Sequence, residues 1–295
     1  MGSIPGFCGL RRTISAELGG GLCLDDTPMN FSELAKQQLA DYDRHCPGTL
    51  FAGFENNHAA MTIEDAYRLQ MEVAELRMER GEPIAGYKVG CISSTVQAQL
   101  GLDRPVFGRL YMTELHRSGV TLDPSQYDGL AIEGELAVRL AQDIPNREWL
   151  SSHRREAIAS GFAVIELHNY VFRNAPLTAQ ELIGNNAIHA GVVLPLEEVE
   201  ISDPDELLDP PLSVWRNGER LGIATGRALP DGPFGSVMRL VDHLERFGHN
   251  LRRGQLVLTG SPLPLYRVMA GDFIEVRCDR LGGSISATVA NPVGR

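Results

Sequence analysis

From Ile84 onward the chain is written in short apolar runs broken by Gly, Pro and Asp, and this punctuation limits the fold more than any other feature. IAGYKVG, LAIEGELAVRL, FAVIELHNYVF and HAGVVLP each read as strands, QLVLTGS and DFIEVRCD as two later ones, and SISATVA as a third. In SVWRNGERLGIAT, Asn217-Gly218 supplies both positive-φ residues of a type I′ turn and predicts a tight hairpin. Before Ile84 the period is helical. Phe31 to Tyr42 brings Leu34, Gln38 and Leu39 near one face. A second helix opens at the cap Thr62, with Asp65 three residues on, carries Ala66, Leu69, Val73 and Leu76 as one stripe, and ends near Arg80-Gly81. Further helices are expected over His153 to Ser160, after a capping box at Thr178 and Glu181, and over Ser236 to Phe247 before Gly248. The sum is an α+β protein, with a flexible lead-in at 1–29, a helical N-terminal part at 30–83 and a β-rich body at 84–295.

Charge and cysteine usage narrow the partners. A formal charge of −11 over 295 residues repels nucleic acid and anionic membrane, so neither is an expected partner. No apolar run is long enough to span a bilayer, and no apolar stretch of signal-peptide type follows the early arginines. Cys8, Cys23, Cys46, Cys91 and Cys278 are irregularly spaced and include no CxxC, which makes neither a disulfide framework nor a zinc site. A reducing, cytoplasmic compartment is the simplest reading.

The chemistry gathers in Ile132-Glu133-Gly134-Glu135-Leu136. Side chains alternate along a strand, so Glu133 and Glu135 point the same way, about 7 Å apart. Two carboxylates on one face repel unless they are solvated, share a proton or bind a cation, and hard oxygen ligands suit Mg²⁺ or Mn²⁺. Glu166 lies among Val164, Ile165 and Leu167, where an unpaired charge is costly, so it needs a basic partner or serves as a third ligand. Lys88 is a charge in a strand bounded by Gly86 and Gly90, placed to meet a carboxylate or an enolate or else to snorkel from a strand edge. Thr259-Gly260-Ser261 follows an apolar strand and offers hydroxyls and amides to an anion. His168 and His189 are read as structural histidines.

Taken together, several segments resemble the 2-keto-4-pentenoate hydratase family, within the fumarylacetoacetate hydrolase-like superfamily. They are TIEDAYRLQ, GEPIAGYKVG, LGLDRPVFGRL, AIEGELAVRL, AVIEL, GNNAIHAGVVLP, VWRNGERLGIATG, LVDHLERFGHNLRRGQLVLTGS and AGDFIEV, in the family's order and spacing. The resemblance implies a rolled, mixed β-sheet body with a helical N-terminal part, and assembly into a homo-oligomer. It implies Mg²⁺ or Mn²⁺ on Glu133, Glu135 and Glu166, catalytic roles for Lys88 and Ser261, and substrate contacts from Lys88, Gly260, Ser261 and Asn186. The activity implied is that of a metal-dependent lyase, a hydratase of a small 2-oxo or 2-hydroxydienoic acid working through a metal-stabilised enolate. Decarboxylation of a 2-oxo diacid of 4-oxalocrotonate type and C–C hydrolysis of an acylpyruvate are the alternatives, with a non-catalytic, metal-stabilised binding or scaffold relative as a different class. The sequence departs from the family pattern at Leu110-Tyr111-Met112-Thr113, Asn169, Val171, Asn185 and Pro262 to Tyr266. These changes are expected to alter substrate handling, with Tyr111, Met112, Leu263 and Tyr266 adding apolar contact for a bulkier substrate.

Overall fold

The structure is a computed structural model that describes residues 29–46, 49–52, 61–170 and 178–291. The expected lead-in at 1–29 lies outside the described residues apart from Met29. Among the described residues the strands are β1 (Ile84–Gly90), β2 (Val106–Tyr111), β3 (Leu115–Arg117), β4 (Val120–Leu122), β5 (Leu130–Leu140), β6 (Ile158–Asn169) and β7 (His189–Leu194). They continue with β8 (Val199–Glu200), β9 (Leu212–Arg216), β10 (Glu219–Ala224), β11 (Leu256–Leu258), β12 (Tyr266–Arg267), β13 (Phe273–Cys278) and β14 (Gly283–Val289).

One sheet runs β2-β1-β11-β5-β6-β7-β3, with β12 beside β5 and β8 beside β6. It is mixed, because β1–β11 and β3–β7 are parallel and the other pairs antiparallel. Its edge strands β2 and β3 are separated in the chain only by the turn Met112–Glu114, so the sheet curls for one short segment to reach both edges. The result is a half-barrel, and its helices include the two N-terminal ones expected from the sequence, Phe31–Asp43 and Ile63–Glu79. Leu110, Ala137, Phe162, Val164, Val192 and Leu258 fill part of it as an apolar floor. Each leucine, valine or phenylalanine among them stabilises the fold by about 1.5–3 kcal/mol when fully buried.

The other face of β5 meets the second sheet, β10-β9-β13-β14-β4. Gly134 marks this contact, since a Cβ there would lie 2.6 Å from Val214 Cγ2 and 3.2 Å from Val276 Cγ2. The β9–β10 hairpin turns on Asn217 and Gly218 at φ 53° and 82°, as the sequence predicts.

Thr62 caps its helix through a reciprocal pair: Asp65 N donates to Thr62 Oγ1 at 3.1 Å, and Thr62 N donates to Asp65 Oδ2 at 3.0 Å. The helix Gly232–Arg246 begins earlier than expected, with Pro233 in its first turn. It buries Val237, Leu240, Val241 and Leu244, and places His243 in a stack on Phe107 with centroids 4.3 Å apart. The helix expected over His153 to Ser160 is replaced by Arg147–Ser152 and Arg154–Ala157, and β6 takes over from Ile158. Asn146 caps the first of these by accepting from Trp149 N at 2.8 Å, and pairing of Ile158 with Leu140 overrides local helical preference. No described helix is long and apolar enough to cross a membrane.

Candidate metal centre

Strand alternation and register assemble an acidic cluster above the apolar floor. Glu133 and Glu135 project from β5 on the same face as Ala137, and Glu133 stands opposite Glu166 on β6. His168, two residues beyond Glu166, keeps to that face. Lys88 enters from β1, opposite Gly108 on β2, where a Cβ would crowd Lys88 Cγ at 3.1 Å and Asn186 O at 2.7 Å. Lys88 Nζ lies 2.9 Å from Glu166 Oε1, and His189 Nδ1 lies 2.8 Å from the same oxygen. Glu135 Oε2 accepts the Gly260 amide at 2.9 Å. The second oxygens, Glu135 Oε1 and Glu166 Oε2, are buried without a hydrogen-bond partner. Each of these carboxylates therefore has one oxygen tied to the protein and one left for something else.

The electrostatics agree with that division. Burial, then the neighbouring Glu166 and Glu133, hold the Glu135 carboxyl well above the usual range. Burial also opposes charge on Glu166, but Lys88, His168 and His189 outweigh it and hold that carboxyl well below the usual range. Lys88 loses solvation too, yet Glu166, Glu133 and Glu135 raise its pKa. A small hard cation fits the residues present. His168 Nε2 sits 3.2 Å from Glu133 Oε2 and 3.5 Å from Glu166 Oε2 without hydrogen-bond geometry, and one ligand atom from each residue falls within a 4.8 Å set. Neighbouring ligands around an octahedral ion bound at about 2.1 Å stand about 3 Å apart.

The two histidines read as structural lie in this cluster. The spacing Glu166-x-His168 already placed His168 on the glutamate's face, whereas His189 arrives through the pairing of β6 with β7. Before His189, Asn186, Ala187 and Ile188 all have positive φ, at 54°, 52° and 56°. For a β-branched residue such as Ile188 this conformation is strained. Asn186 anchors the turn to β2, its Oδ1 accepting from Arg109 N at 2.7 Å and its Nδ2 donating to Arg109 O at 2.8 Å. The turn presents the Ala187 carbonyl to Lys88 Nζ at 3.4 Å.

Ser261 is engaged locally, its hydroxyl reaching Leu263 O at 2.8 Å and Gly134 O at 3.1 Å and accepting from Leu263 N at 3.1 Å. Met112 is exposed, and Tyr111 packs beneath the Arg77 guanidinium, 3.6 Å from its ring centroid. Leu263 and Tyr266 close over Gly222 of β10. Next to the expected acidic gap at Met112-Thr113, the buried Glu114 lies behind the cluster, with Oε2 3.9 Å from His189 Nε2 and Oε1 2.5 Å from Arg77. Asn169 accepts the Asp128 amide at 3.1 Å, and Val171 lies outside the described residues.

Fold and cluster define a rolled-sheet protein with a buried acidic centre. Residues 112–290, more than half of the chain, match the family described as Fumarylacetoacetate (FAA) hydrolase C-terminal, and the protein belongs to this family. It is 30% identical to a 2-keto-4-pentenoate hydratase of Burkholderia vietnamiensis over 76% of this chain and 84% of that one. It is 28% identical to a 4-oxalocrotonate decarboxylase of Pseudomonas putida over 79% of this chain and 87% of the other. Among solved structures, the 4-oxalocrotonate decarboxylase of Pseudomonas putida G7 complexed with magnesium and adipate superposes with a TM-score of 0.75 at 25% identity, covering 86% of this chain and 97% of that one.

Proposed function

We propose that the protein is a divalent-cation-dependent lyase acting on a small 2-oxo or 2-hydroxydienoic acid, with hydration as the leading reaction. The observation that carries this reading is the buried, unpartnered oxygen of Glu166, gathered with Glu133 and His168 beside a buried lysine, with a second such oxygen on Glu135 next to Glu166. Glu133, Glu135 and Glu166 would hold Mg²⁺ or Mn²⁺, with His168 completing or orienting the set. Bound there, the ion supplies Lewis-acid stabilisation to negative charge developing on the 2-oxo acid.

The chain's own groups do the remainder. Lys88, kept cationic by three glutamates, faces the centre and stabilises a carboxylate or enolate oxygen. The Gly260 amide fixes Glu135, and His189 fixes Glu166, so neither carboxylate reorganises during the reaction. Ser261 and Asn186 spend their polar groups on neighbouring backbone and shape the walls. The apolar floor keeps bulk water from the reacting atoms.

Decarboxylation of a 2-oxo diacid is the second reading, favoured by the likeness to the decarboxylase over most of both chains. A mass-resolved assay with Mg²⁺ or Mn²⁺, offering 2-hydroxypenta-2,4-dienoate and 4-oxalocrotonate with and without EDTA, tests both. An EDTA-sensitive gain of water supports hydration, and an EDTA-sensitive loss of CO₂ supports decarboxylation. Turnover undiminished by EDTA would sink the reading.

A further inference from the structure

Beyond His168 the same face of the sheet carries a cation that the acidic centre does not use. β12 pairs with β5 so that Arg267 lies opposite Ala131, and Ala131 lies opposite His168 on β6. Directly opposed residues of antiparallel strands share a face, so Arg267, Ala131 and His168 form one row on the side that bears Glu133 and Glu166. Glu133 is the diagonal neighbour of Arg267, at about 7–8 Å. Depth along the half-barrel follows this order: the apolar floor at Ala137 and Phe162, the carboxylates, then the row of His168 and Arg267.

Arg267 differs from Lys88 in every relevant respect. Lys88 is buried and committed to Glu166, whereas Arg267 is exposed and forms no ion pair with any described residue. Its guanidinium lies 4.1 Å from the ring centroid of Tyr170, the residue that continues β6 past Asn169. Stacking on an aromatic face fixes the plane of the guanidinium and leaves its N–H fork free for a carboxylate.

We infer that Arg267, held by Tyr170, is a specificity-determining residue that receives a second carboxylate at the far end of the substrate. The ligands preferred by this site are then 2-oxo dicarboxylic acids, one end at the acidic centre and the other at Arg267. The inference rests on the proposed reading of that centre as the place where the 2-oxo acid end binds. A chain of a few carbon atoms bridges the diagonal separation, and the length of the arginine side chain shortens the gap.

The test is calorimetric titration of Mg²⁺-loaded protein with 2-oxoadipate and with 2-oxohexanoate, which share a chain length and differ by one carboxylate. The wild type binds the diacid about tenfold or more tightly than the monoacid. Arg267→Gln brings the diacid to the monoacid's affinity and leaves the monoacid unchanged. Arg267→Lys, a point charge without the fork, retains part of the preference. Circular dichroism and thermal melting confirm that each variant keeps its fold. Equal affinities in the wild type, or an Arg267→Gln variant that weakens both ligands alike, overturns the role of Arg267. If the monoacid binds in an EDTA-sensitive way without any diacid preference, only Arg267's role falls. If neither acid binds the Mg²⁺-loaded protein, the reading of the acidic centre falls and takes this inference with it.

Discussion

Replacing Glu135 by Gln is expected to leave the metal-free protein nearly as stable and to remove most of what a divalent cation at the proposed site would add. In the metal-free protein Glu135 is fully buried beside Glu166, with its carboxyl held well above the usual range by burial and by its acidic neighbours. The neutral amide has the same shape, keeps an oxygen for the Gly260 amide, and turns its NH₂ towards the free oxygen of Glu166. The expected change in EDTA is within about 1 kcal/mol. Were Glu135 instead an ionised partner of Lys88, breaking that buried pair would cost about 3–5 kcal/mol. With the cation at a hundred times its Kd, the wild type gains about 2.7 kcal/mol. For a chain of this length that corresponds to a rise in Tm of roughly 4–5 °C. The variant, short of one buried ligand, shifts by less than about 2 °C at the same concentration. Differential scanning fluorimetry at pH 7, in EDTA and in Mg²⁺ or Mn²⁺, measures both quantities. There is also a pH signature. A carboxyl raised in the folded state binds its proton more tightly there than in the unfolded chain, so metal-free stability declines as pH rises above the ordinary carboxylate range. The variant lacks that contribution. A loss above about 3 kcal/mol in EDTA, or an undiminished cation shift, refutes the reasoning.

Lys88→Met is expected to lower turnover by about 10²–10³-fold while the cation still raises Tm, because the removed charge repels the ion; steady-state kinetics beside fluorimetry checks this, and retained turnover would exclude the lysine from the chemistry. His243, buried first of all and then opposed by Arg109, Arg246 and Arg104, has its pKa pushed down to about 3. A depressed folded-state value means stability is full above the ordinary pKa near 6.5 and is lost as pH falls towards 3, about 2 kcal/mol of it by pH 5. His243→Phe, stacked in the same aromatic setting, flattens this limb in urea titrations at pH 7 and pH 5, and an unchanged acid loss would locate it elsewhere. Thr62→Ala removes a reciprocal helix cap and costs about 1 kcal/mol, seen as a fall in Tm of about 2 °C.

What the sequence reveals about this site is whatever is encoded at short range. The alternation of Glu133 and Glu135 against Ile132, Gly134 and Leu136 is a local pattern, and β5 has the residues it predicts. The same holds for β1 and for the turn at Asn217-Gly218. β2 is less legible, because it is buried along its whole length and carries Gly108 and Arg109 in place of an alternating pattern. His153 to Ser160 misleads for the opposite reason: the local pattern suits a helix, but Ile158 is claimed by Leu140 across the sheet. Glu166-x-His168 was readable as a shared face. His189 and Glu114 were not, since only the β6–β7 pairing and the curl of the sheet bring them behind the carboxylates. The strained run from Asn186 to Ile188 carries no glycine to announce it, and is held by the Asn186 bracket on Arg109.

The parallel pairing of β1 with β11 sets Lys88 beside Leu258 and brings Gly260 within reach of Glu135. β5 and β6 are near neighbours in the chain, but positions 88 and 258 meet only after the long stretch between them has been organised. Non-local parallel pairings of this kind are slow to form. A refolding chain therefore offers a cation no complete site until the sheet has closed, and an ion bound at the proposed site would leave the rate of folding where it was. It would lengthen the lifetime of the finished molecule instead, slowing the unfolding arm of the chevron alone.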